Sequence, residues 1–144
     1  MKRKLIAFLG VAAIGLGTLS LLTQGQAPAD GSSLPAKGDP IVAVTLPATL
    51  SARAEAGRRA FDATCATCHG EAASGRRGYG PPLVHPTYES SHHADTAFLR
   101  AAQQGAPAHH WDFGDMPPQP AVTPADVADI LAYVRELQRA NGIN

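Results

Sequence analysis

The pattern of apolar and polar positions divides the 144-residue chain into three stretches. Residues 5–22 form one apolar run, broken only by small residues such as Gly10, Gly15, Gly17, Thr18 and Ser20. The run has no polar face at helical spacing, so it does not read as a buried helix of a globular domain. Residues 23–50 show no periodicity. Turn and breaker residues fill positions 24–33, and Pro35, Pro40 and Pro47 continue the pattern, which predicts a linker. Within it, Ile41-Val42-Ala43-Val44 could be a short extended piece lying on the domain.

From Ser51 onward the pattern is helical. Ser51 suits an N-cap, and Glu55 stands early in the helix predicted over residues 52 to about 64. Gly57 and Phe61 lie four apart and share a face. A glycine inside a helix costs about 1 kcal/mol against alanine. Close approach of another helix is the expected compensation. Asp95 is the expected N-cap of a second helix over residues 96–104, stopped by Gly105, with Phe98 and Leu99 facing inward.

The last helix opens with Thr123 as N-cap, Pro124 at its first position and Asp126 at its third. Val127, Ile130, Leu131, Val134 and Leu137 make its apolar stripe, flanked by Tyr133. Arg135 and Arg139 suit its C-terminal dipole, and Asn141-Gly142 stops it. The expected fold class is all-α. Three or more helices fill a domain over residues 51–144, preceded by an apolar helix within residues 1–22 and a linker over residues 23–50. No internal repeat is visible.

Charge and composition refine this picture. The formal net charge is zero, but Lys2, Arg3 and Lys4 sit at the extreme N-terminus. The remainder is mildly acidic, which gives no basis for nucleic-acid binding. A basic start followed by an apolar run marks an exported or anchored chain. At about 1.5 Å per residue the run nearly spans a hydrocarbon core, and its basic flank would stay cytoplasmic. An uncleaved membrane anchor is the favoured reading. The alternative is a signal peptide cut after Ala27-Pro28-Ala29, releasing a soluble periplasmic protein. Aromatic residues make up only 6% of the chain, against 14 glycines and 12 prolines. So small a domain needs help to build a core.

That help is written in Cys65-Ala66-Thr67-Cys68-His69-Gly70. Cys-x-x-Cys-His is the attachment pattern of a c-type haem. Two thiols three positions apart can form thioethers with the two vinyl groups of one porphyrin, and His69 is then carried beneath the iron as its proximal ligand. These are the only two cysteines in the chain. Two other readings compete. A redox dithiol wants a βαβ context, whereas the flanks here look helical. Half of a zinc site would need histidines to complete it. Downstream, Gly80-Pro81-Pro82-Leu83 forms a rigid turn that could offer a backbone carbonyl to Nδ1–H of His69.

Together these residues resemble the class I c-type cytochromes, over about residue 51 to the C-terminus. The resemblance rests on four features. They are the Gly57/Phe61 helix leading into the cysteines, Gly80-Pro81-x-Leu83, the Met116-Pro117 turn, and a terminal helix bearing Tyr133. It implies a close crossing of the first and last helices, one covalent haem c, and Cys65, Cys68, His69 and Met116 as its binding residues. His69 would be the proximal and Met116 the distal iron ligand. It also implies electron exchange at the haem edge with redox protein partners. Apart from Met1, Met116 is the only methionine. A lone methionine is usually core filler, but this one sits in a Gly/Asp/Pro turn, and a soft thioether suits a haem iron.

The expected function is one-electron transfer at the periplasmic face of a bacterial inner membrane. No enzymatic activity and no small-molecule substrate are expected. The alternatives are a haem subunit of a respiratory or dehydrogenase complex, and a haem-based ligand sensor.

Five histidines beyond His69 depart from the family pattern. His92-His93 and His109-His110 are adjacent pairs whose plain reading is solvated surface. Two sharper readings are that one of them replaces Met116, or that the pairs bind copper or zinc. Trp111 could donate its indole N–H to a haem propionate or simply cover the haem edge. Arg76 and Arg77 could pair with a propionate or a partner, or form an exposed basic loop.

Overall fold

The computed structural model describes residues 34–144. The apolar run and the first part of the linker lie outside the described residues. Four α-helices, α1 (Ala52–Thr64), α2 (Ala66–His69), α3 (Asp95–Gln104) and α4 (Pro124–Ala140), and two 3-10 turns, Glu71–Ala73 and Pro86–Tyr88, make up the regular structure. The described residues contain isolated β-bridges and no strand.

Helix α1 begins where the sequence places it. The Ser51 hydroxyl accepts from the Ala54 N–H at 3.1 Å and donates to Glu136 on α4 at 2.7 Å. The cap therefore starts one helix and ties it to another. Gly57 carries the crossing. A Cβ on Gly57 would lie 1.9 Å from the Asp129 carbonyl oxygen and 2.8 Å from the Ile130 nitrogen, so the α4 backbone occupies that space. The closest approach falls one turn before Tyr133, whose ring instead meets Phe61 edge-on at 5.7 Å. Arg53 to Asp129, at 2.8 Å, closes the crossing on the solvent side.

The core grows from this crossing. Ala54 and Phe61 of α1 pack with Ile130, Tyr133, Val134 and Leu137 of α4, and Ala73, Leu83 and Val84 close the cluster. Tyr133 is a core residue at 3% exposure rather than a flank of the stripe. The turn into α4 is a capping box. The Thr123 hydroxyl accepts from the Asp126 N–H, and the Asp126 carboxylate accepts from the Thr123 N–H at 2.9 Å.

Helix α3 starts one residue earlier than expected, with Ala94 as N-cap. Asp95 is not the cap because its carboxylate is taken by Arg135 of α4 at 3.1 Å. Phe98 and Leu99 are half-buried, and α3 has no fully buried residue. Arg135 does more than answer the helix dipole. Its guanidinium also donates to the carbonyls of Tyr88 and His93 at 2.7 and 2.6 Å and to Gln138 Oε1 at 2.6 Å. Gln138, buried at 2% exposure, donates to the Leu83 and Tyr88 carbonyls. Together the two side chains fasten the connection before α3 to α4.

The later part of the predicted linker lies on the domain. Ile41 and Val42 donate their N–H groups to the Ser74 carbonyl at 3.2 and 3.0 Å. The Asn141 side chain, read only as a helix stop, accepts from the Thr45 N–H and donates to the Thr45 carbonyl. Val44 and Leu50 pack against the core.

Candidate functional site

Helix α1 delivers the Cys-x-x-Cys-His segment directly. Cys65 caps α1, donating its N–H to the Phe61 carbonyl, and the chain continues into the single turn of α2. Cys65 is half-buried and Cys68 is exposed, and the two form no disulfide. Burial, with Cys68 beside it, pushes the Cys65 thiol up to about 11. A redox dithiol needs a thiol poised toward the thiolate, so this environment opposes that reading.

His69 ends α2. Its Nδ1–H donates to the Pro81 carbonyl at 2.9 Å, the contact expected from the rigid turn. This bond sets the tautomer and leaves Nε2 as the ring's free electron pair. Burial lowers the pKa of the imidazole, and the Pro81 bond opposes that shift, so the ring is held neutral. A neutral imidazole with a fixed tautomer is what a metal ligand requires.

The loop between His69 and Pro81 is pinned on itself. Gly75 N–H donates to the His69 carbonyl at 2.7 Å, and Leu83 N–H to the Ala73 carbonyl at 2.9 Å. Ala72 and Ala73 hold φ of 50° and 57°, a conformation alanine adopts at a cost of about 1–2 kcal/mol each. No sequence signal announces this strain, because alanine carries no mark of left-handed backbone. Gly80 packs on the motif: a Cβ there would lie 2.8 Å from the Cys68 carbonyl oxygen and 3.2 Å from Cys68 Cβ. The glycine lets the turn approach the second cysteine.

Arg76 donates to the Thr67 carbonyl at 2.7 Å and lies over the Tyr79 ring at 3.9 Å, so it braces the motif from outside. Arg77 Nε and Trp111 Nε1 are buried and find no hydrogen-bond acceptor. Buried donors without acceptors are rare in a finished fold. Both fit a chain that folds around a group carrying carboxylates, as a haem does.

Met116 is half-buried on the loop after α3. Its backbone exchanges both hydrogen bonds with Ala106, at 2.9 and 3.0 Å, which closes the loop over residues 106–116. His69 and Met116 are thus held by separate supports, the Pro81 turn and the Ala106 bridge. The histidine pairs come together in space, although 16 residues separate them in sequence. His92, His93 and His110 place their nearest ring nitrogens within 4.8 Å of one another. Neither cysteine belongs to this group, which removes the support for a shared cysteine–histidine zinc site.

The family model described as Cytochrome c matches residues 54–138. No curated protein and no solved structure matches the chain significantly. The matched span runs from inside α1 into the last turn of α4, more than half of the chain, and takes in the helix crossing, the Cys-x-x-Cys-His turn and the methionine loop. The chain therefore belongs to the cytochrome c family, as an all-helical domain with a covalently bound c-type haem that transfers electrons to and from redox protein partners.

Proposed function

We propose that the chain is a single-haem, one-electron carrier. In this reading Cys65 and Cys68 would hold the porphyrin through thioethers, and His69 and Met116 would be the residues that ligate its iron. The observation that carries it is the Pro81 bond to His69 Nδ1, which prepares Nε2 of a half-buried, neutral ring directly after the second cysteine. Bound there, the haem supplies the one-electron couple. The chain's own part is to fix the ring and present the Met116 thioether from a closed loop, and the unpaired donors of Arg77 and Trp111 could serve the group's carboxylates. An iron ligated by both residues would offer no position to a substrate, so the domain would act as a carrier without enzymatic activity of its own.

The same proposal places the domain at the periplasmic face of a bacterial inner membrane. Residues 1–22 act as the tether, with residues 23–33 as the spacer, since the chain beyond is bonded to the domain. Among the described residues no helix is long and apolar enough to cross a membrane. The order of basic flank, apolar run, spacer and haem domain supports this reading.

The test uses the full chain matured with haem. Voltammetry should give one reversible one-electron wave, and the reduced protein should resist carbon monoxide. Rapid binding of carbon monoxide would replace the carrier with a ligand sensor. Salt-washed membranes should retain the protein. A mature N-terminus at Asp30 in the soluble periplasmic fraction would remove the tether and leave the haem chemistry intact.

A further inference from the structure

The two histidine pairs meet at one point, and the chain around them is built to hold them there. His92 Nε2 and His110 Nε2 are 3.3 Å apart. Two nitrogens each about 2.0–2.1 Å from one tetrahedral zinc ion lie about 3.3–3.4 Å apart, so this separation is already that of a chelating pair. The His93 ring stands beside both, with centroids 4.8 Å from His92 and 5.1 Å from His110. Its Nδ1–H donates to the Thr87 carbonyl at 2.6 Å, which leaves Nε2 unprotonated and fixes the ring. A backbone carbonyl on the far nitrogen is the usual support of a metal-binding imidazole.

Both segments are anchored from behind. Arg135 holds the carbonyls of Tyr88 and His93. The loop that carries His110 is closed by the Ala106–Met116 bridge and by Ala108 N–H donating to Asp115 Oδ1 at 2.9 Å. His109 is a neighbour rather than a member of the set, because its ring nitrogens are not among those that converge within 4.8 Å.

We propose that His92, His93 and His110 form a binding site for one divalent transition-metal ion of the zinc and copper class. Imidazole is a borderline ligand that suits both ions. Three imidazoles leave a fourth position for water or for a group from a partner. His92 and His110 are exposed, so the ion can enter from solvent. Occupation would staple the segment before α3 to the loop that bears Met116. The site uses none of the residues assigned to the haem.

The experiment takes the haem-loaded full chain, freed of metal by a chelator, and titrates it with Zn2+ in competition with a chromophoric chelator. One Zn2+ should be retained per chain, and the zinc edge X-ray absorption should show three imidazoles. Zinc should raise the unfolding temperature. His92→Ala and His110→Ala should each weaken binding by about 100-fold or more, since losing even a supporting group of a metal ligand costs 10–100-fold. Unchanged haem absorption in each variant shows that the domain is intact. Added Cu2+ should displace the zinc, following the order of divalent affinities. Failure of the wild type to retain zinc would overturn the proposal, as would equal retention by the variants or copper binding that leaves zinc in place.

Discussion

At the scale of single residues, the motif is legible because its chemistry is local. Two thiols and an imidazole at fixed spacing say what they hold, and the prolines after Gly80 announce a turn stiff enough to meet His69. What supports the motif from outside is not legible in the same way. Gly80 could have been a turn residue only, whereas its Cα faces the Cys68 carbonyl with no room for a methyl group. Gly80→Ala should therefore cost about 1–3 kcal/mol by overpacking and should lower the yield of haem-loaded protein. Denaturant unfolding and the ratio of haem to protein measure the two effects, and a variant equal to wild type in both would show that the turn has slack. The left-handed pair Ala72-Ala73 lay beyond the sequence altogether, since its conformation is imposed by the bonds that pin the loop.

At the scale of elements, caps and stripes located α1 and α4 because each signal acts within one helical turn. The start of α3 was misplaced by one residue because Asp95 answers a guanidinium forty positions away rather than its own helix end. The α1–α4 crossing yields a prediction of sign. In an open helix Gly57→Ala would stabilise by up to about 1 kcal/mol. Here the added methyl meets the Asp129 carbonyl, so the variant should lose about 1–3 kcal/mol instead. A gain in unfolding temperature would mean that the crossing is looser than described. The α4 cap yields a pH dependence. The Thr123 hydroxyl and N–H hold the Asp126 carboxyl below its ordinary value of 3.8. A depressed carboxylate stabilises the fold above that ordinary value, and its contribution is lost as the pH falls through the lower folded value. Wild type should thus exceed Asp126→Asn in stability at about pH 7, and the gap should shrink as the pH falls below the ordinary carboxylate range. A gap independent of pH would show that the charge is not what the cap uses.

At the scale of the whole molecule, the domain is held by long-range polar ties that periodicity does not encode. Arg135 looked like a helix-end cation, yet its side chain is only 12% exposed and joins α4 to Asp95, Tyr88, His93 and Gln138. Asp95 is 66% exposed, so that pair contributes little, and the carbonyl bonds carry the effect. Arg135→Gln should cost about 1.5–3 kcal/mol in denaturant unfolding, and a loss below about 0.5 kcal/mol would mean that the clamp is dispensable. The docking of Ile41-Val42-Ala43-Val44 is legible in its apolar character, but its partners are not, because the Ser74 carbonyl and the Asn141 side chain that hold it and the following Thr45 leave no mark in a proline-rich stretch. The histidine cluster was visible only as two pairs, since their meeting depends on the closed loop over residues 106–116. The proposed function has these ties fold the chain around one haem whose iron His69 and Met116 would ligate. It is tested most directly by the proton NMR spectrum of the reduced, haem-loaded protein. A methionine bound to haem iron has its side-chain protons shifted far upfield by the ring current, and the chain has only Met1 and Met116 to supply such a signal. Wild type should show one set of upfield methionine resonances and Met116→Ala none. Wild type without those resonances, or a variant that keeps them, would contradict it.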